Sequence, residues 1–181
     1  MESIIIHDKK FRLTIPKGKI QNVVDKLALQ LNTEMQQKDI VFIAVLNGSF
    51  MFASDLLKKI KLNCRISFVK MASYDGTENT GQINQLIGIN EVLTDKTVVL
   101  IEDIVDSGNT LENIMAQIEK YNAAEIKIVT LLFKPDAYEF NRKIDYVGFR
   151  IPNEFVIGYG LDYDGLGRNL EGIYAVVDEE G

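Results

Sequence analysis

Apolar positions fall into two alternating patterns along the chain. Residues 20–35 place Ile20, Val23, Val24, Leu27, Leu31 and Met35 on a helical spacing with one apolar stripe, which predicts an amphipathic helix. Residues 40–46 run unbroken as Ile-Val-Phe-Ile-Ala-Val-Leu, the mark of a strand covered on both faces, and Asn47-Gly48 ends it. Ser49 reads as the N-cap of a helix over 50–60. Residues 65–71 alternate, predicting a half-exposed strand nearer an edge, and 72–82 hold almost nothing to bury, predicting a polar loop. Strands follow at 83–89 and 97–101, then a helix over 111–121, a buried strand at 126–133, and short strands at 145–149 and 155–159 before a Gly- and Asp-rich segment. This alternation predicts an α/β fold: an open, mostly parallel twisted sheet with helices on both faces and ligands at the strand C-terminal ends. With 181 residues and no repeat or linker, one domain over 1–181 is expected.

The strand at 97–101 ends in two adjacent carboxylates, Glu102 and Asp103, followed by Ile-Val-Asp106-Ser107-Gly108-Asn109-Thr110 and a helical pattern. The N–H groups of a first helical turn, the Ser107 and Thr110 hydroxyls and the Gly108 backbone can all donate to one phosphate. Glu102, Asp103 and Asp106 repel phosphate, so they must take hydroxyls, protons or a metal shared with the ligand. A sugar phosphate satisfies both halves.

Composition narrows the classes. Hydrophobic residues at 46% and charged ones at 25% are ordinary for a soluble globular protein, and a net charge of -6 argues against a broad nucleic-acid footprint. Cys64 is the only cysteine, so no internal disulfide is expected and a reducing compartment, the cytoplasm, is the natural setting. Met1-Glu2-Ser3 precedes only Ile4-Ile5-Ile6, and nowhere do about 18 apolar residues follow one another, so neither a signal peptide nor a membrane span is expected. A lone histidine, His7, argues against a Ser-His-Asp triad or a His-rich zinc site and leaves acid–base work to carboxylates, Lys or Tyr.

Residues 98–111, VVLIEDIVDSGNTL, resemble the signature loop of type I phosphoribosyltransferases, which bind phosphoribosyl pyrophosphate (PRPP). Residues 45–52 (VLNGSFMF), Ser73-Tyr74, Lys134, and 155–163 (FVIGYGLDY) with Arg168 resemble the hypoxanthine-guanine branch of that family. The resemblance implies a small hood built from N- and C-terminal segments. It also implies a Mg2+-dependent purine salvage enzyme that moves the phosphoribosyl group from PRPP to hypoxanthine or guanine, giving IMP or GMP and pyrophosphate, as a homodimer or homotetramer. By resemblance, Glu102 and Asp103 hold the ribose hydroxyls directly or through magnesium, and Asp162 is a second metal ligand. Asp106 faces the purine N7 as the catalytic group, and Ser107, Gly108, Asn109 and Thr110 cradle the 5′-phosphate. Leu46, Asn47 and Gly48 form the pyrophosphate loop, which in relatives contains a non-proline cis peptide, and Arg168 contacts pyrophosphate. Lys134 donates to the purine 6-oxo group, Phe155 stacks on the base, and Val156 offers backbone groups to its edge. Ser73 and Tyr74 open a lid that keeps water from PRPP.

Many relatives carry Lys or Arg where this chain has Asn47, and another basic residue where it has Asn109, so more of the ligand's charge should rest on magnesium and Arg168. Taken singly, several residues admit plainer roles: 106–110 as a helix cap, Lys134 as a solvated strand-end lysine, Phe155 as core, Asp162 as a turn residue. Two other functions remain open from the residues: a PRPP- or nucleotide-sensing regulator of the same fold, and a Mg-dependent phosphate-transfer or receiver-like module.

Overall fold

The computed structural model describes residues 3–71 and 85–177. The lid expected at Ser73 and Tyr74 lies outside the described residues. The unbroken apolar runs become the centre of a six-stranded sheet: β3 (Ile40–Leu46), β4 (Cys64–Met71), β5 (Gln85–Ile87), β6 (Thr97–Val105), β7 (Glu125–Phe133) and β8 (Tyr146–Arg150). Their order is β5-β4-β3-β6-β7-β8, parallel throughout except for the antiparallel edge strand β5. Because successive side chains on a strand point to opposite faces, β3 feeds two cores. Phe42 and Ala44 pack with Ile20, Val24, Leu27 and Leu31 of α1 (Lys17–Glu34) and with Phe52 and Leu56 of α2 (Phe50–Leu57). Val41, Ile43 and Val45 pack on the other face with Leu111, Ile114, Met115 and Ile118 of α3 (Asn109–Ile118). Helices on both faces therefore follow from a strand with no polar position.

Beyond shifts of a few residues at several element ends, two features differ from the sequence expectation. Ser49 stands before α2, but its hydroxyl donates back to the Val45 carbonyl at 2.6 Å instead of capping the helix. Strand β6 runs four residues beyond Ile101, to Val105, because β7 continues alongside it with Ile104 opposite Leu132 and Val105 opposite Phe133. On its other side the ladder to β3 stops at Ala44 and Ile101. Residues 102–105 thus have a strand neighbour on one side and the loop after β3 on the other, which is where the acidic pair sits.

A second, four-stranded sheet stands beside the first: β1 (Ser3–Ile6), β2 (Lys9–Ile15), β9 (Val156–Ile157) and β10 (Ile173–Val176), antiparallel in the order β1-β2-β10-β9. This is the hood of N- and C-terminal segments. The strand expected at 155–159 belongs to it, shortened to Val156–Ile157. Phe11, Ile157 and Tyr174 form its own small core. Among the described residues no helix is long and apolar enough to cross a membrane.

Candidate functional site

At the C-terminal ends of β3 and β6 lies a cleft of about 270 Å³ lined by Leu46, Gly48, Glu102, Asp103 and the whole 106–110 turn. The parallel register puts it there, since Ala44 pairs with Ile101 and both strands run on into their loops at the same edge. The Leu46-Asn47 peptide is cis. Gly48 then presses on the acidic pair: a Cβ built on it would come 1.6 Å from Asp103 Oδ2. Only a residue without a side chain lets the loop approach the carboxylate so closely. From the hood, Gly160 meets the same loop, a Cβ there falling 1.9 Å from the Gly48 carbonyl oxygen. Asn47 is exposed and Leu46 half-buried.

The acids are held in unequal states. Glu102 is 4% exposed, and burial, reinforced by the neighbouring Asp103 carboxylate, pushes its carboxyl well above the usual carboxylate range. Asp103 keeps an opening to the cleft, yet burial still raises it to about 6, against the lowering effect of the Ile104 N–H, which donates to Oδ1 at 2.9 Å, and of Arg168. Desolvation without a nearby counter-charge large enough to offset it gives both groups a high affinity for a proton or a cation. Their hard oxygen donors fit a divalent ion such as magnesium. Among the described residues no three Asp, Glu, His or Cys side chains converge to hold a metal by themselves. A magnesium site made of one or two carboxylates completed by ligand oxygens needs no such cage.

Arg168 and Asp162 stand on the hood side of the loop. Arg168 Nη2 pairs with Asp162 Oδ1 at 2.7 Å and Nη1 donates to the Gly160 carbonyl at 2.7 Å, while Asp162 Oδ2 accepts the Gly165 N–H at 2.7 Å. Asp162 is therefore both the turn residue that its local sequence suggests and close enough to act electrostatically on Asp103.

The 106–110 turn is clasped from below by the segment after β7. Lys134 N–H donates to the Val105 carbonyl at 3.0 Å and Glu139 N–H to the Ser107 carbonyl at 3.1 Å. The rings of Tyr138 and Phe140 pack on Gly108, which takes φ 93° to turn the chain onto α3. Arg142 closes the clasp with a two-pronged pair to Glu112 of α3, at 2.7 and 2.9 Å. These clasp residues carry no local signal in the sequence, because each acts through a partner about thirty positions away. Asn109 and Thr110 are exposed at the mouth of the cleft.

Lys134, 6% exposed, forms a 2.6 Å ion pair with Asp106. Phe155 and Val156 are not among the cleft walls. Phe155 stands 44% exposed on the hood. Its carbonyl accepts the Val176 N–H at 2.9 Å, so by antiparallel alternation the Val156 amide and carbonyl point out of the ladder, at an edge strand. The structure thus gathers 46, 48, 102, 103 and 106–110 into one cleft, attaches Lys134 through Asp106 and Arg168 with Asp162 through the Gly48–Gly160 contact, and sets Phe155 and Val156 on the hood.

Residues 16–164 match the family model described as the phosphoribosyl transferase domain. The chain is 39% identical over 166 residues to a hypoxanthine-guanine phosphoribosyltransferase of Staphylococcus aureus, covering 91% of this chain and 93% of that protein. The crystal structure of a hypoxanthine phosphoribosyltransferase from Staphylococcus aureus superposes with a TM-score of 0.86 at 38% identity, covering 92% of this chain and 91% of the other. That of a hypoxanthine-guanine phosphoribosyltransferase from Bacillus anthracis gives 0.84 at 40% identity, over 92% and 96%.

Proposed function

The chain belongs to the phosphoribosyltransferase family, and on that premise we propose that it transfers the phosphoribosyl group of PRPP to hypoxanthine or guanine, forming IMP or GMP and releasing pyrophosphate. The observation that carries this reading is the Lys134–Asp106 pair at 2.6 Å beside the 106–110 turn. A 6-oxopurine presents its O6 acceptor and its N7 side by side on one edge. An ammonium next to a carboxylate matches that edge, Lys134 donating to O6 while Asp106 accepts from N7–H.

In this reading the 5′-phosphate sits in the turn of Ser107, Gly108, Asn109 and Thr110, at the N-terminus of α3. Leu46, Asn47, Gly48 and Arg168 take the pyrophosphate, and Glu102 and Asp103 hold the ribose hydroxyls. As the bond from C1 to pyrophosphate breaks, the leaving group departs with the electron pair and the purine N9 bonds to C1. The sugar passes through cationic character, which the nearby carboxylates stabilise. Asp106 takes or steers the N7 proton, a general-base contribution of typically 10²–10⁴-fold. Glu102 and Asp103, with Asp162 as a second site, would hold Mg2+, which when bound neutralises the departing pyrophosphate. Phe155 stacks on the base and Val156 reads its edge through the backbone.

Chain length adds a single domain over 1–181 to this reading, and the resemblance a homodimer or homotetramer. Ile66 and Phe68 of β4, with Phe50 of α2, lie exposed and support an assembly face. Cys64 is a free thiol, which suits a reducing compartment such as the cytoplasm.

The test mixes protein, magnesium and PRPP with hypoxanthine, guanine or xanthine in turn and follows nucleotide formation, with Asp106→Ala alongside. Turnover with at least one 6-oxopurine, and a variant that loses turnover far more than PRPP affinity, is expected. Retained PRPP binding with no nucleotide from any base would sink the reading.

A further inference from the structure

Outside the cleft, the N-terminal hairpin reaches across the hood to the segment that carries Phe155. Strands β1 and β2 are joined by a two-residue turn at His7 and Asp8, with His7 at φ 53°. From that turn Asp8 Oδ1 accepts the Tyr163 hydroxyl at 2.6 Å, from a residue 155 positions along the chain. The Tyr163 ring meets His7 edge-on, with centroids 5.4 Å apart and planes at 82°, and has the Lys9 ammonium 5.5 Å from its centroid. The hairpin turn thus holds one tyrosine ring with three consecutive side chains.

That ring backs the proposed base platform. Tyr163 meets Phe155 in a T-shaped contact at 5.7 Å and 78°, and Phe11, fully buried, approaches both rings at 6.1 Å. Phe155 is 44% exposed. An exposed ring keeps one orientation only if the rings behind it are themselves fixed. Phe11 is fixed by burial. Tyr163 is half-buried, and its hydroxyl is fixed by Asp8.

We propose that Asp8 is a positioning residue for the purine site: by holding the Tyr163 hydroxyl it locks the ring that backs Phe155, so the N-terminal hairpin sets the orientation of the base platform. This rests on the reading of Phe155 as the stacking residue, and Asp8 itself touches no substrate. The backbone on either side of Tyr163 is held independently of Asp8, by Arg168 on Asp162 and the Gly160 carbonyl and by the Tyr163–Leu166 backbone pair, so loss of the Asp8 contact frees the ring, acts on the base and spares PRPP.

Steady-state kinetics of the full chain test it, with Asp8→Ala, Tyr163→Phe, the double variant and Asp8→Asn. Asp8→Ala and Tyr163→Phe should each raise KM for the base on the order of tenfold, with kcat and KM for PRPP essentially unmoved. The double variant should be no worse than either single one, because both remove one interaction. Asp8→Asn, whose amide oxygen still accepts the phenol, should return KM toward the parent value. Unmoved base KM in variants with native circular dichroism would overturn the inference, as would KM values for base and PRPP rising together, which marks a general loosening of the hood. Should Asp8→Ala fail to fold, Tyr163→Phe and Asp8→Asn carry the same comparison. Absence of any nucleotide from the parent protein overturns the base-site reading and this inference with it. An active parent with unaffected variants overturns this inference alone.

Discussion

At Gly48 the margin is a single methyl group. Alanine there would put Cβ 1.6 Å from Asp103 Oδ2 and 2.5 Å from Cγ, so either the carboxylate or the 46–48 loop must move, and both line the cleft. Gly48→Ala should therefore lower kcat/KM for PRPP by about 10²-fold, the scale of a 1 Å misplacement, while the melting temperature stays near that of the parent. Enzyme assay beside thermal denaturation checks this; full activity would remove the loop from the site. Sequence reading reached Glu102, Asp103 and the 106–110 turn because they lie in one contiguous stretch whose residue types carry the chemistry, and Gly48 through the family resemblance of 45–52. It also named Lys134 and Asp106, but not their contact. That contact follows from the parallel pairing of Val105 with Phe133, which delivers the next residue of each strand to the same place. No pattern within either segment encodes a register.

Among the elements, one carboxylate joins three. Asp55 of α2 accepts the Tyr159 hydroxyl at 2.6 Å and the Gln21 amide of α1 at 2.7 Å, and pairs with Lys58 at 2.6 Å. Tyr159, 2% exposed and at φ 47°, is the buried anchor of the chain leaving β9, and its hydroxyl would otherwise lack a charged acceptor. Burial pushes the Asp55 carboxyl up, but the hydrogen bonds from Lys58, Tyr159 and Gln21 outweigh it and hold the group below its ordinary 3.8. A depressed folded-state value means a stabilisation present in full above 3.8 and lost as pH falls through the lower, folded value. Asp55→Asn should thus cost about 1–3 kcal/mol near neutral pH, and the difference from the parent should shrink at a pH below 3.8, as the folded-state value is passed. Denaturant titrations at the two pH values check this; an undiminished gap at low pH would contradict it. Strands β3 and β6 were legible as unbroken apolar runs and β7 as a buried strand, yet β6 outlasts its run because β7 accompanies it through the acids. The hood strands β1, β2 and β10 were not legible as strands. They are short or interleaved with Lys and Arg, and β2 pairs with β10 from the opposite end of the chain.

Across the whole molecule, charge poses the harder problem for a polyanionic substrate. The chain carries a net charge of -6, and among the described cleft walls stand Glu102, Asp103 and Asp106 with neither Lys nor Arg. Two cations beside it are already engaged, Lys134 with Asp106 and Arg168 with Asp162. Backbone N–H groups of the turn and of α3 can bind phosphate oxygens but bring no full charge. Like charges a few ångströms apart in a partly desolvated cleft repel strongly, so PRPP must arrive with its own neutralising cation. The raised proton affinities of Glu102 and Asp103 point the same way, since a pair that holds a proton tightly when alone gives it up to a bound metal. PRPP affinity itself, not turnover alone, should therefore fall at least about tenfold when magnesium is chelated, as read by titration calorimetry with and without EDTA. Asn47→Lys, which adds a charge at an exposed position on the proposed pyrophosphate loop, should recover part of the lost affinity in EDTA. Equal PRPP affinity in the two buffers would mean that oriented dipoles alone carry the ligand's charge.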